Sequence, residues 1–153
     1  MGVGESNSGM ERVQISGATP VTDAANAARK FAIKNAMTGN DLSRLCVIVE
    51  ELFANLYEHG GVEPDERVEM SLSTGPDGVR LTIIDPGRPF DPRNAKSSER
   101  RPARGGGAGI DIVRNWASHI DYRVANDRNY LELRIPLRTD GSGHAEGEGE
   151  RPQ

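Results

Sequence analysis

The chain has 153 residues, a formal net charge of −4 and one cysteine. That length suits a single domain with a core large enough to fold unaided, and one cysteine excludes a disulfide framework or a Cys-rich zinc site. A pI near 5.4 argues against general nucleic-acid binding, and no apolar run approaches the roughly 18 residues of a membrane helix.

Residues 1–10 carry Gly2, Gly4, Ser6, Ser8 and Gly9 with little to bury, so they read as a disordered tail and not a signal peptide. Val13 and Ile15 alternate with Arg12, Gln14 and Ser16, a short strand signal. Thr22 or Asp23 can cap an Ala-rich helix reaching Met37. Gly39, Asn40 and Asp41 then break the pattern. A second helix is expected over residues 42–58, with Leu42, Leu45, Val49, Leu52, Phe53 and Leu56 as its apolar stripe, stopping at Gly60 and Gly61. Val68, Met70 and Leu72 alternate with polar residues, as do Val79, Leu81 and Ile83. The intervening Gly75, Pro76, Asp77 and Gly78 make the pair a hairpin.

Residues 86–104 form a long charged loop containing Pro86, Pro89, Pro92 and Pro102, a length usually functional or disordered. A glycine run follows, then a helix carrying Ile110, Ile112, Val113, Trp116 and Ile120. Tyr122 and Val124 suggest a strand. Leu131, Leu133 and Ile135 suggest the last one, across a turn at residues 126–129. Residues 138–153 read as a second disordered tail. The order β–α–α–β–β–loop–α–β–β favours an α+β, two-layer sandwich: a mixed, mostly antiparallel sheet with helices on one face. Residues 11–137 form the expected domain, and a cytoplasmic protein without a membrane partner is the expected setting.

Three segments carry possible chemistry. On the second helix Glu51, Asn55 and His59 advance only about 40° per step, so they share a face. A carboxylate and an amide one turn apart could hold a metal–phosphate group, with Asn as a neutral Mg²⁺ ligand and Glu as proton acceptor. Taken alone, the same face is more often simply solvated. Asp85 directly follows the apolar run Leu81-Thr-Ile-Ile84, so partial burial is expected, and a buried carboxylate needs a donor. The exocyclic amine of a nucleobase would serve, with Gly87 letting a flat ring approach the backbone. An Asp opening a Pro–Gly turn is the ordinary alternative. Finally, Gly105, Gly106, Gly107, Ala108 and Gly109 open a helix, where backbone N–H groups can hold phosphate; a flexible linker is the plainer reading. No Gly-Lys-Ser/Thr follows, and the dinucleotide fingerprint is absent.

In this order the segments resemble the GHKL ATP-binding superfamily, which includes histidine kinases, gyrase-type subunits and Hsp90. Glu51 and Asn55 match its N box, Asp85 and Gly87 its first glycine box, and Gly105 to Gly109 its second. Asp85-Pro-Gly-Arg-Pro-Phe-Asp-Pro92 and Gly106-Gly-Ala-Gly-Ile-Asp-Ile-Val-Arg114 are similar to the stand-alone anti-sigma-factor serine/threonine kinases of the RsbW and SpoIIAB type. A histidine kinase would place a helical dimerisation segment with a phospho-accepting His upstream, for which residues 1–40 look too short. Three positions depart from the branch: Ala108 is small, Asp111 stands where a neutral residue or His is common, and Asn129 stands where many relatives place a Thr near the adenine.

The resemblance implies a Bergerat-type fold binding ATP and Mg²⁺. It implies Asp85 as acceptor for the adenine amine, Asn55 as Mg²⁺ ligand and Glu51 as general base. Gly87, Pro89, Phe90 and the border residue His59 would line the nucleotide. Arg104, Gly105, Gly106, Gly107, Ala108, Gly109 and Ile110 would belong to the phosphate lid, with Arg101 a second candidate beside Arg104 for offsetting phosphoryl charge. The implied substrate is a serine on a STAS-domain anti-anti-sigma protein. The implied partners are a sigma factor and a second copy of the chain, with no direct nucleic-acid contact. A nucleotide-gated module that sequesters a partner without kinase activity is the alternative, and an orphaned output domain of a two-component system a third.

Overall fold

The computed structural model describes residues 10–94 and 106–138. Chain order is β1 (Met10–Ile15), α1 (Pro20–Lys34), α2 (Gly39–Ala54), β2 (Val68–Gly75), β3 (Gly78–Asp85), α3 (Gly106–Trp116), β4 (His119–Ala125) and β5 (Arg128–Ile135). A single π-helical turn, Asn55–His59, continues α2. The five strands lie in the order β1-β2-β3-β5-β4. Every pairing is antiparallel, so among the described residues the sheet is antiparallel throughout rather than mixed.

The period-2 pattern explains the single covered face. In β3, Val79, Leu81, Ile83 and Asp85 point inward and are buried, while Arg80 between them is exposed. β2 contributes Val68, Met70 and Leu72, and β5 contributes Leu131, Leu133 and Ile135. α1 covers them with Ala24, Ala28, Phe31 and Ala32, which lie along one stripe of the helix. α2 adds Leu45, Ile48, Val49, Leu52 and Phe53, and all join one hydrophobic cluster. No helix among the described residues is long and apolar enough to cross a membrane.

Element boundaries shift for local reasons. α1 begins at Pro20, whose fixed φ and missing N–H suit a first helical turn, and not at Thr22 or Asp23. It ends at Lys34, because Ala36 turns the chain at φ 62. Met37 is 5% exposed, so it belongs to the core but not to the helix. α2 starts at Gly39, and Asp41 in its first turn is buried. The Asp41 carboxylate accepts the Arg138 amide at 2.8 Å, tying the chain just after β5 to α2. Met10, expected in the tail, pairs with Ser73 in the sheet. Ile120 lies in β4, since α3 stops at Trp116 and the Ser118 amide turns to the Arg134 carbonyl at 2.8 Å. The Tyr57 hydroxyl lies within hydrogen-bond reach of the Ile15 and Glu66 carbonyls, at 3.1 and 3.0 Å, which anchors the π turn against β1.

Candidate functional site

β3 ends in the polar residue Asp85, and the antiparallel register sets Asn129 of β5 directly beside it. Both side chains point inward and are nearly closed off, 4% and 3% exposed. Burying a carboxylate is unfavourable unless donors meet it. Here Asp85 Oδ1 accepts the Gly87 amide at 2.8 Å and Asn129 Nδ2 at 2.9 Å. Asn129 Nδ2 also donates to the Gly87 carbonyl at 2.9 Å. The Tyr122 hydroxyl donates to Asn129 Oδ1 at 2.8 Å and accepts the Phe90 amide at 2.9 Å. Burial pushes the Asp85 carboxyl above the usual carboxylate range, while the Asn129 and Gly87 bonds and the Arg128 charge oppose it. Asp85 Oδ2 accepts no hydrogen bond from the described residues.

Asp85, Asn129 and Tyr122 face a cavity of about 30 Å³ between the sheet and the end of α2. Leu52, Leu56, Ile83 and Leu131 give it apolar walls, and Asn55 reaches it from the π turn. This volume holds one or two waters. Arg88 and Phe90 also line this space. Arg88 is latched there: its guanidinium donates to the His59 carbonyl, and its amide donates to the Gly60 carbonyl at 2.8 Å.

At Gly87 the chain packs tightly against the turn after α2. A methyl there would stand 2.7 Å from the Gly60 carbonyl oxygen, 2.8 Å from Val62 Cγ2 and 3.1 Å from Asp85 Oδ1. Gly87→Ala is expected to destabilise the fold by about 1–3 kcal/mol through this overpacking. Urea unfolding of the variant checks it, and a midpoint equal to wild type would contradict the close approach.

Glu51 sits one turn before Asn55 on the same helix face and is partly buried. Burial raises its carboxyl above the ordinary range, and the neighbouring Glu50 and Glu58 charges add to the rise. α3 arrives against it. A methyl on Gly109 would overlap Glu51 Oε1 and lie 2.7 Å from Cδ, so a side chain there would displace that carboxylate. Ile110 and Val113 hold α3 in place, 2% and 0% exposed. The Arg44 guanidinium stacks 5.2 Å from the Trp116 ring centre, and Arg114 Nη1 donates to the Pro92 carbonyl at 3.2 Å.

The expected residues therefore divide by position. Asn55, Asp85 and Phe90 line one cavity, with Gly87 at its edge, and Glu51 meets Gly109 beside it. His59 is exposed and reaches the site through its carbonyl alone, and Pro89 is exposed without lining the cavity. The glycine run does not precede its helix: Gly106, Gly107, Ala108 and Gly109 form the first turn of α3. Arg101, Arg104 and Gly105 lie outside the described residues. Tyr122 and Arg88 join the site without having been expected there. The alternation around Tyr122 does put it on the inward face, and that is the signal the sequence carries. No group of three or more His, Cys, Asp or Glu among the described residues is placed to hold a metal alone. A cation at this site would depend on Asn55 together with ligand oxygens.

A two-layer α+β domain with a buried carboxylate at a strand end, an amide and a carboxylate on a facing helix, and a glycine-rich helical turn against them defines a nucleotide-handling class. The model of the histidine kinase-like ATPase domain matches residues 17–135, and the chain belongs to that family. ATP is thus the ligand this domain implies.

Solved structures agree in fold. A chain of the SiaB–SiaC complex from Pseudomonas aeruginosa superposes with a TM-score of 0.56 at 13% identity, over 88% of this chain and 96% of that one. The histidine kinase domain of the blue-light activated histidine kinase from Erythrobacter litoralis EL346 gives 0.54 at 15% identity, over 84% of this chain and 64% of that one. Another structure of that kinase gives 0.51 at 15% identity, over 81% of this chain and 42% of that one. No curated protein sequence matches the chain.

Proposed function

We propose that the chain is an anti-sigma-factor serine/threonine kinase that binds Mg²⁺-ATP and phosphorylates a STAS-domain anti-anti-sigma protein in a partner-switching circuit. The observation that carries this reading is the convergence of the three segments. Asp85 of β3 and Asn55 at the end of α2 line one cavity, and α3 brings Gly109 onto Glu51, one helical turn before Asn55. Asp85 Oδ2 accepts the exocyclic amine of adenine against the apolar floor. Asn55 offers a neutral oxygen to Mg²⁺, which fits an ion that prefers one or two protein ligands plus phosphate oxygens. When bound, the ion neutralises phosphate charge, and the main-chain amides of the first turn of α3, residues 106–109, add donors. Glu51, its carboxyl raised by burial, takes the proton of the incoming serine hydroxyl. Phosphoryl transfer needs positioning and charge neutralisation above all, and these residues supply both.

The partner side of the proposal draws support from the similarity to the anti-sigma kinases in the segments at residues 85–92 and 106–114. The match to a chain of the SiaB–SiaC complex over nearly its whole length fits a partner-binding protein. Sequestration of a sigma factor, a homodimeric state and a cytoplasmic location complete the reading. Incubation with labelled ATP and purified STAS-domain proteins tests it: a phosphoserine on one of them is the expected product. Nucleotide binding with no transfer to any of them would instead favour the nucleotide-gated binding module.

A further inference from the structure

The hydrogen bonds behind the cavity have only one possible direction. The Asp85 carboxylate and the Gly87 carbonyl only accept, so Asn129 turns its NH₂ to them, at 2.9 Å each, and its Oδ1 to Tyr122, whose hydroxyl donates to it at 2.8 Å and accepts the Phe90 amide at 2.9 Å. A flipped amide would set oxygen against two oxygens. Asp85 Oδ1 is thereby filled by two donors, and the one oxygen turned to a ligand is an acceptor.

We propose that Asn129, oriented by Tyr122, is the residue that fixes base choice at this site, holding Asp85 as an acceptor so that the cavity takes adenine, with its amine, and rejects guanine, with its carbonyl. The inference rests on the nucleotide reading above and adds the selecting residue to it. The physical reason is that a buried carboxylate short of donors takes up a proton readily, and burial already pushes Asp85 that way. A protonated Asp85 would carry an O–H and meet a carbonyl as well as an amine. The Asn129 donor opposes that switch. The Tyr122 hydroxyl supports that orientation by donating to Asn129 Oδ1, and its bond to Phe90 ties it to the segment after β3.

The test compares two variants of equal shape. Asn129→Thr keeps a hydroxyl that can donate to Asp85, whereas Asn129→Val does not. Calorimetric dissociation constants for ATP and GTP are measured on wild type and on both variants, with circular dichroism to confirm folding. Wild type and Asn129→Thr are expected to prefer ATP. The preference is expected to fall roughly tenfold to a hundredfold in Asn129→Val, the worth of one hydrogen bond to a charged group. Asn129→Ala, which also removes the donor to Asp85, is expected to lose preference too and serves if the valine variant does not fold. An ATP preference equal to wild type in Asn129→Val, or in Asn129→Ala where that variant stands in for it, overturns the inference and leaves the nucleotide site standing. A folded wild type that binds neither nucleotide overturns the site and the inference together.

Discussion

Replacing Asp85 by Asn is expected to weaken ATP binding by about 1.5–3 kcal/mol, the worth of a charged hydrogen bond, while raising thermal stability at neutral pH. The substitution keeps an oxygen where Gly87 and Asn129 donate, so the inner bonds survive. Its outward group becomes an NH₂ that faces the adenine amine, donor against donor. The stability gain has a definite sign. Burial raises the Asp85 carboxyl above its ordinary value of 3.8, so the folded chain holds that proton more tightly than the unfolded chain does. The contribution is therefore fully present below the ordinary value and is lost as pH rises through the raised one. Above the raised value the wild type must ionise a buried group and Asp85→Asn need not. Melting curves should show the variant more stable at neutral pH, with the gap narrowing as pH falls toward the ordinary carboxylate range. Unchanged ATP affinity would remove Asp85 from the base site. A lower melting temperature at neutral pH would show that the charged bonds outweigh burial.

The second large effect belongs to Glu51. Glu51→Gln is expected to bind Mg²⁺-ATP as wild type does and to lose phosphoryl transfer by roughly 10²–10⁴-fold, the usual contribution of a positioned base. The glutamine keeps the volume that rests against Gly109 and removes only the basic oxygen. The same reading sets a pH profile. A base works ionised, so wild-type transfer should rise with pH through a carboxyl shifted above the ordinary 4.5 by burial and by Glu50 and Glu58. That limb should be missing from the residual activity of Glu51→Gln. Single-turnover transfer at several pH values measures both, and undiminished transfer by the variant would reject the base role.

Much of this fold is legible because one face of each strand is wet. The alternation of Val79, Leu81 and Ile83 with Arg80 and Thr82 states which side is covered, and the pattern alone marks the Asp at the end of that series as partly buried. Helix ends are less legible. Met37 is apolar and fully part of the core, so periodicity extends α1 to it, whereas the left-handed turn at Ala36 depends on tertiary packing. The site is half legible for the same reason. Glu51 and Asn55 are neighbours on one helix, and spacing alone places them on one face. The chain of Asp85, Asn129, Tyr122 and Phe90 has no spacing rule. Strand register brings the first two together, and a tyrosine from the edge strand β4 closes the distance to Phe90. The approach of Gly109 to Glu51 likewise depends on how α3 docks through Ile110, Val113 and Trp116.

Calorimetry with ATP, with and without Mg²⁺, on wild type and Asn55→Ala tests the site most directly. Magnesium-dependent binding by the wild type is predicted, with that dependence lost in Asn55→Ala while the fold is kept. A folded wild type that binds no ATP in the presence of Mg²⁺ would contradict it.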